Sequence, residues 1–256
     1  MTDARPPLAG LTVLVPRARD QAGDFSALLR ARGAEPLEVP TIEIRPVAST
    51  ADLDRAVEDL AAGRYDWVVL TSVNGVAAVR ARAEALGHGP AITRASVAAV
   101  GPATDAALRD WGIVPDLVPE AATTAALGQA FPSGRGAVLL ARADLANPQL
   151  GVLLRDKGWE TTEVVAYHTV PVGTLDPAAR RRLDRGEVDW VAFTASSTVE
   201  GFLRGYGGPP PPGVRVAAIG PVTADTARSA GIRVATTAAE HTIGGLVAAI
   251  EHAVTT

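Results

Sequence analysis

Apolar residues along this chain fall in short runs that stop at Gly, Pro or small polar residues and restart at helical spacing. Leu11-Thr12-Val13-Leu14-Val15 is the first such run, continuous enough for a strand buried on both faces. From about Gln21, the residues Phe25, Leu28 and Leu29 share one helical face that ends at Gly33. A long extended stretch, Pro36 to Val47, precedes a helix predicted from Ala51 to Ala62. Asp66 to Thr71 reads as a strand, and Ser72-Val73-Asn74-Gly75 opens the next helix. A further strand ends at Val100, where Gly101-Pro102 starts a helix; a short strand near Leu117 and a helix from about Thr124 to Ala130 follow.

At Gly136 the pattern begins again. Ala137 to Leu140 predicts a strand with Ala141-Arg142-Ala143-Asp144 as its exit loop. A helix from about Pro148 stops at Gly158, Thr162 to Val172 is again extended, and a short helix closes at Asp184. Asp189 to Thr194 is a strand, and Ala195-Ser196-Ser197-Thr198 opens a helix. A loop with four consecutive Pro, Pro209 to Pro212, leads to the strand that ends at Gly220-Pro221, and a last helix starts near Thr242.

The two halves match residue by residue. Arg17 and Arg142, Leu28 and Leu153, Gly33 and Gly158, and Pro46 and Pro171 stand at one common offset. Trp67 and Trp190, Thr71 and Thr194, and Val76 and Val199 share a slightly shorter one. Gly101 and Gly220, Thr104 and Thr223, Thr123 and Thr242, and Leu127 and Leu246 share a third. Constant offsets with small slips in loops identify an internal duplication. Repeated strand–helix units predict an α/β protein of two parallel-sheet domains with helices on both faces. The repeat by itself favours two consecutive domains divided near Ser133.

Parallel sheets of this kind bind ligands at the carboxyl ends of their strands. Val100-Gly101-Pro102-Ala103-Thr104 and Ile219-Gly220-Pro221-Val222-Thr223 are the sharpest such loops. Gly is expected to take unusual backbone angles in the turn. Pro suits the first helical position, and the N–H groups around it favour an anion.

Composition narrows the chemistry. The chain has 256 residues, 47% apolar, with a formal net charge of −4, which argues against nucleic acid as a partner. Without Cys, disulfides and thiolate catalysis are excluded, and four scattered His show no metal-ligand spacing. Met1 to Pro7 lacks the apolar stretch of a signal peptide and no run is long enough to span a membrane, so a cytoplasmic protein is expected. Val15-Pro16-Arg17-Ala18-Arg19 has no dinucleotide fingerprint, and neither a P-loop nor a nucleophile elbow occurs. Hydroxyls, Tyr, Arg and backbone N–H groups remain, a set suited to steering an anionic ligand.

The opening strand with Arg17, Gly33, the extended stretch ending at Pro46, Leu70-Thr71-Ser72-Val73-Asn74-Gly75-Val76, Val100 to Thr104, Val164-Val165-Ala166-Tyr167-His168-Thr169, Phe193 to Ser197 and Ile219 to Thr223 together resemble the uroporphyrinogen-III synthases. The resemblance covers about residues 10 to 250. It implies cyclisation of hydroxymethylbilane, a linear tetrapyrrole, to uroporphyrinogen III, with inversion of the last pyrrole ring and loss of water. It implies no metal or organic cofactor, and possible hand-over of substrate from hydroxymethylbilane synthase; a pair of narrow linkers and the lack of an apolar interface stripe predict a monomer. It also implies exchanged domains: residues 1–37 with 171–256 in one, 45–162 in the other, and 38–44 with 163–170 as linker strands.

On this resemblance Tyr167, on the second linker strand, is the catalytic candidate, assisting loss of the substrate hydroxyl. Substrate contacts are expected from Arg17, Thr71, Ser72, Asn74, Gly101, Thr104, Thr194, Ser196, Ser197, Gly220 and Thr223. Helix capping competes with that role for the hydroxyl residues, and capping is the preferred reading of Thr123 and Thr242. Ala195 departs from the family, which has Ser there. His168 is expected on the face opposite Tyr167 if the strand is regular. The alternative function is a non-catalytic, anion-binding or regulatory protein of the same fold.

Overall fold

The structure is a computed structural model that describes residues 6–89, 92 and 94–255. Residues 1–5, part of the segment read for an export signal, lie outside the described set. The chain forms two compact units, Met1–Glu43 with Val170–Thr256, and Ile44–Thr169.

The first unit is built on β1 (Thr12–Val15), β2 (Glu35–Glu38), β8 (Trp190–Phe193), β9 (Arg215–Ala218) and β10 (Thr236–Thr237), in the order β10-β9-β8-β1-β2. Neighbouring strands run parallel, with Val13 beside Trp190 and beside Pro36. Strands β1 and β8 are buried at every position, as central strands of a two-faced sheet must be. Val13 and Val15 pack with Phe25 and Leu29 of α1 (Gly23–Ala31) and with Leu246, Val247 and Ile250 of α10 (Ile243–Thr255). Leu14 and Phe193 face the other way, onto α7 (Pro177–Asp184), α8 (Ser196–Tyr206) and α9 (Pro221–Ser229). Gly33 ends α1 with φ +86°, the left-handed angle that Gly accepts most easily.

The second unit holds a sheet in the order β3-β7-β6-β4-β5, from β3 (Ile42–Pro46), β4 (Trp67–Leu70), β5 (Ser96–Ala99), β6 (Ala137–Ala143) and β7 (Glu160–Pro171). The β4–β5, β4–β6 and β6–β7 pairings are parallel. Val68 and Leu70 point to a core shared with α2 (Ala51–Ala61), α3 (Val73–Ala85) and α4 (Pro102–Asp110). Val69 points to the opposite core, with α5 (Thr124–Ala130) and α6 (Gln149–Asp156). In α2 the buried positions Leu53, Ala56, Val57 and Leu60 form one stripe at helical spacing.

The expected α/β class, with mostly parallel sheets covered on both faces, is what folds. Thr123 caps α5, accepting from the Ala126 N–H at 3.0 Å, and Thr242 caps α10, accepting from Gly245 at 3.0 Å. Three local expectations change. The stretch from Pro36 to Val47 is two strands, interrupted at Val39–Thr41. The strand expected to stop at Leu140 continues to Ala143, so Arg142 is a strand residue and not part of an exit loop. The backbone of Gly101 has φ −179° and that of Gly220 φ −172°, ordinary extended angles, so unusual backbone geometry is not why Gly stands there.

Candidate functional site

The sequence-predicted residues gather at the carboxyl ends of adjacent strands, in two groups, one per unit. In the second unit the ends of β6, β4 and β5 carry Asp144, Thr71 to Asn74, and Gly101 to Thr104, and Tyr167, within β7, lies beside Ala143 at the end of β6. In the first unit the ends of β1, β8 and β9 carry Arg17, Thr194 to Ser197, and Gly220 to Thr223.

Ser72 is the pivot of the first group. Its extended backbone, φ −160° and ψ 156°, makes it the N-cap of α3, and its Oγ accepts from the Gly75 N–H at 3.0 Å. The same Oγ lies 2.9 Å from the phenol oxygen of Tyr167. Asn74, in the first turn of α3, also hydrogen-bonds that phenol. Gly75 is small because its helix turn lies against β6: a Cβ there would sit 3.1 Å from the Ala141 carbonyl oxygen. Thr71 is half-buried at the strand exit. Burial pushes the Tyr167 phenol above its ordinary pKa, against the hydrogen bonds from Ser72 and Asn74 that pull it down. Tyr167 is therefore a neutral hydrogen-bonding phenol at physiological pH.

A bulge decides where Tyr167 points. Ala141 pairs with Val164 and Arg142 with Val165, but Ala143 pairs with Tyr167, so β7 carries one extra residue at Ala166. Ala166 and Tyr167 are consecutive and both buried in the same core, which a regular strand forbids. His168 is 38% exposed, and its Nδ1 lies 2.8 Å from Asp144 Oδ2. It opens onto a groove of about 530 Å³ lined also by Tyr65 and Thr162, to which Tyr167 does not contribute.

Gly101 is the N-cap of α4, with Pro102 in the first turn. A Cβ on Gly101 would lie 2.5 Å from the Ala122 Cβ; close approach is the reason for Gly. Thr104, in the same first turn, is buried at 3% exposure.

The other group repeats the backbone and changes the side chains. Ala195 caps α8 with φ −164° and ψ 158°, nearly the angles of Ser72. Lacking a hydroxyl, it is served by Thr198, whose Oγ1 donates to the Ala195 carbonyl at 2.6 Å and accepts from its N–H at 3.3 Å. Ser196 Oγ lies 2.7 Å from Thr226 Oγ1 on α9. Thr194 and Ser197 are half-buried, and Thr223 is 5% exposed. Gly220 approaches the His241 ring, where a Cβ would lie 3.1 Å from Cδ2. Arg17 follows β1, half-buried; burial lowers its guanidinium pKa while Asp24 and Asp20 raise it.

Of these residues, Tyr167, Ser72 and Asn74 are joined directly by hydrogen bonds. Arg142, expected in an exit loop, is 6% exposed inside β6. It donates to the Asn147 carbonyl at 2.7 Å and pairs with Glu163, so it braces the β6–β7–α6 junction. Asp144 and its contacts were not legible in the sequence, because their alignment depends on the bulge.

The family model for uroporphyrinogen-III synthase HemD matches residues 23–248. A uroporphyrinogen-III synthase of Synechococcus elongatus is 32% identical, with 97% of each chain covered. A porphyrin biosynthesis protein HemD of Ruminiclostridium josui is 30% identical over 89% of this chain and 45% of that longer protein. Among solved structures, a mutant uroporphyrinogen III synthase of Thermus thermophilus is 26% identical with a TM-score of 0.68, covering 96% of this chain and 99% of that one. The Helicobacter pylori uroporphyrinogen-III synthetase, 16% identical with a TM-score of 0.60 over 93% of this chain and 97% of that one, shares the fold. With a family match across most of its length and a relative of this identity covered nearly end to end, the chain belongs to the uroporphyrinogen-III synthase family.

Proposed function

We propose that this protein cyclises hydroxymethylbilane to uroporphyrinogen III, with inversion of the last pyrrole ring and loss of water. The observation that carries this reading is the family match over residues 23–248. The chemistry asked of the protein is modest in bond-making and demanding in positioning. Departure of the substrate hydroxyl leaves an azafulvenium-like cation, and the ring must be presented in its inverted orientation before the last carbon–carbon bond closes.

Tyr167 assists the first step. A neutral phenol, held by Ser72 at 2.9 Å, donates a hydrogen bond to the leaving hydroxyl as its carbon–oxygen bond breaks. The substrate's eight carboxylates are met by Arg17, Thr71, Ser72, Asn74, Gly101, Thr104, Thr194, Ser196, Ser197, Gly220 and Thr223. Their support is position: they sit at strand ends where helices begin, and helix starts favour anions. The functional domains are taken as 1–37 with 171–256 and 45–162, with 38–44 and 163–170 linking them. The protein acts as a cytoplasmic monomer that receives its linear tetrapyrrole from hydroxymethylbilane synthase. Among the described residues no helix is long and apolar enough to cross a membrane.

The test is direct. Purified protein, given hydroxymethylbilane without added cofactor, should yield the type III isomer. Type I product alone, formed at the uncatalysed rate, would leave the non-catalytic alternative standing.

A further inference from the structure

Asp144 holds three consecutive residues of β7, immediately after the bulge. Its own N–H donates to the Tyr167 carbonyl at 3.2 Å. Its Oδ2 meets His168 Nδ1 at 2.8 Å, and its Oδ1 accepts from the Thr169 N–H at 3.2 Å. The carboxylate is 28% exposed. Burial would raise its pKa, but the hydrogen bonds from His168 and from the Thr169 N–H prevail and hold it below the ordinary carboxylate range.

This grip lies where the strand has a choice. Shifting a strand by one residue exchanges its two faces. Without the extra residue at Ala166, Tyr167 and His168 would trade places, and the phenol would leave Ser72. The bulged pairing of Ala143 with Tyr167 loses ladder regularity, and something must favour it over the straight register. Ser72 and Asn74 hold Tyr167 at its hydroxyl end. Asp144 holds its backbone and the two residues that follow.

We propose that Asp144 is a positioning residue for Tyr167: with His168 as its partner, it locks the β7 bulge that turns the phenol toward Ser72. The proposal rests on the reading of Tyr167 given above for its effect on rate, but the placement of the ring can be measured without activity.

The experiment uses the full chain labelled with fluorotyrosine. The sequence has three Tyr, and Tyr167→Phe identifies the resonance of interest. Asp144→Ala should shift or split the Tyr167 signal and leave Tyr65 and Tyr206 in place. Its kcat should fall by about 10- to 100-fold with KM nearly unchanged, the loss expected of a misplaced contact. In a Tyr167→Phe background the same substitution should cost nothing further. Asp144→Asn, which keeps an acceptor for Thr169 and a polar partner for His168, should restore most of the signal and the rate. A Tyr167 resonance unmoved in Asp144→Ala overturns the proposal. So does an Asp144→Asn protein as impaired as Asp144→Ala, because charge and not position would then be what matters. Full turnover in Tyr167→Phe would overturn the catalytic reading of that phenol, while the fluorine spectrum would still decide whether Asp144 sets the ring.

Discussion

The phenol oxygen of Tyr167 and the hydroxyl oxygen of Ser72 lie 2.9 Å apart, although 95 residues separate them in the chain. One serine thus closes the first turn of α3, through the Gly75 N–H, and fixes the candidate catalytic phenol. Tyr167→Phe should lower kcat about 10- to 100-fold, equivalent to about 1.4–2.7 kcal/mol of transition-state stabilisation, while product remains type III. Its thermal cost should be small, about 1 kcal/mol for one hydrogen bond. Ser72→Ala removes the cap as well and should melt lower than Tyr167→Phe. Calorimetry on both variants checks the ranking; a Ser72→Ala protein as stable as wild type would deny Ser72 its double role.

The duplicated Gly-Pro turns should not tolerate Ala equally. At Gly101 an added Cβ meets the Ala122 Cβ at 2.5 Å, and Ala has no rotamer with which to yield. At Gly220 the neighbour is the His241 ring at 3.1 Å, which can rotate. Both backbones are extended, so in each case Ala also gains about 0.4–1 kcal/mol by restricting the unfolded chain. Gly101→Ala should therefore be destabilising, by about 1–2 kcal/mol net of that gain. Gly220→Ala should be close to neutral. Denaturant midpoints of the two variants decide this.

Arg142 should prove structural. Arg142→Ala leaves the Asn147 carbonyl without its donor, and Glu163 keeps, as its ion pair among the described residues, the longer contact to Arg155 at 3.4 Å. Because Glu163 is one-third exposed, the loss should fall below that of a fully buried pair, about 2–3 kcal/mol. Lys in its place keeps the charge but not the two-pronged geometry and should recover part of the loss. Turnover per folded molecule should not change; a collapse of turnover at full stability would show that Arg142 acts in the reaction and not in the fold.

The pH limits of stability follow from the directions of the shifts. Burial raises the pKa of Tyr65, Tyr167 and Tyr206. The folded state therefore holds these phenolic protons more tightly than the unfolded chain. Their contribution is complete below about pH 10, the unfolded value, and is lost as pH rises through the higher folded values. Tyrosinate absorbance should stay absent from the native protein up to about pH 10 and appear with unfolding. Asp144 is shifted the other way. Its contribution is present above about pH 3.9 and lost as pH falls through its lower folded value, so Asp144→Asn should flatten the acid limb of the stability curve.

Much was legible from local pattern. Apolar runs, helical faces and Gly stops located most strands and helices, because period and punctuation are local properties. The duplication was legible in residue offsets alone. So was the placement of the candidate residues at strand ends, since a loop that joins a strand to a helix in a parallel sheet can lie nowhere else.

Partnership was decided in three dimensions. Each half offers equivalent apolar strands, and nothing in Leu11 to Val15 specifies that Val13 will lie beside Trp190. Nor does any local pattern declare that β6, which begins after Ser133, pairs with β4 before it. Side chains from distant segments choose between such registers by how they pack and pair. The bulge at Ala166 is of that kind: alternation along β7 predicts faces only while the strand is regular, and the Asp144 contacts arise across two strands. Arg142 reads as an exit-loop cation until β6 runs on past Leu140 and Glu163 comes alongside it. The Gly of the Gly101 turn reads as a backbone requirement until Ala122 is found against it. Sequence determined which elements form; the contacts made between them determined which residues they bring together.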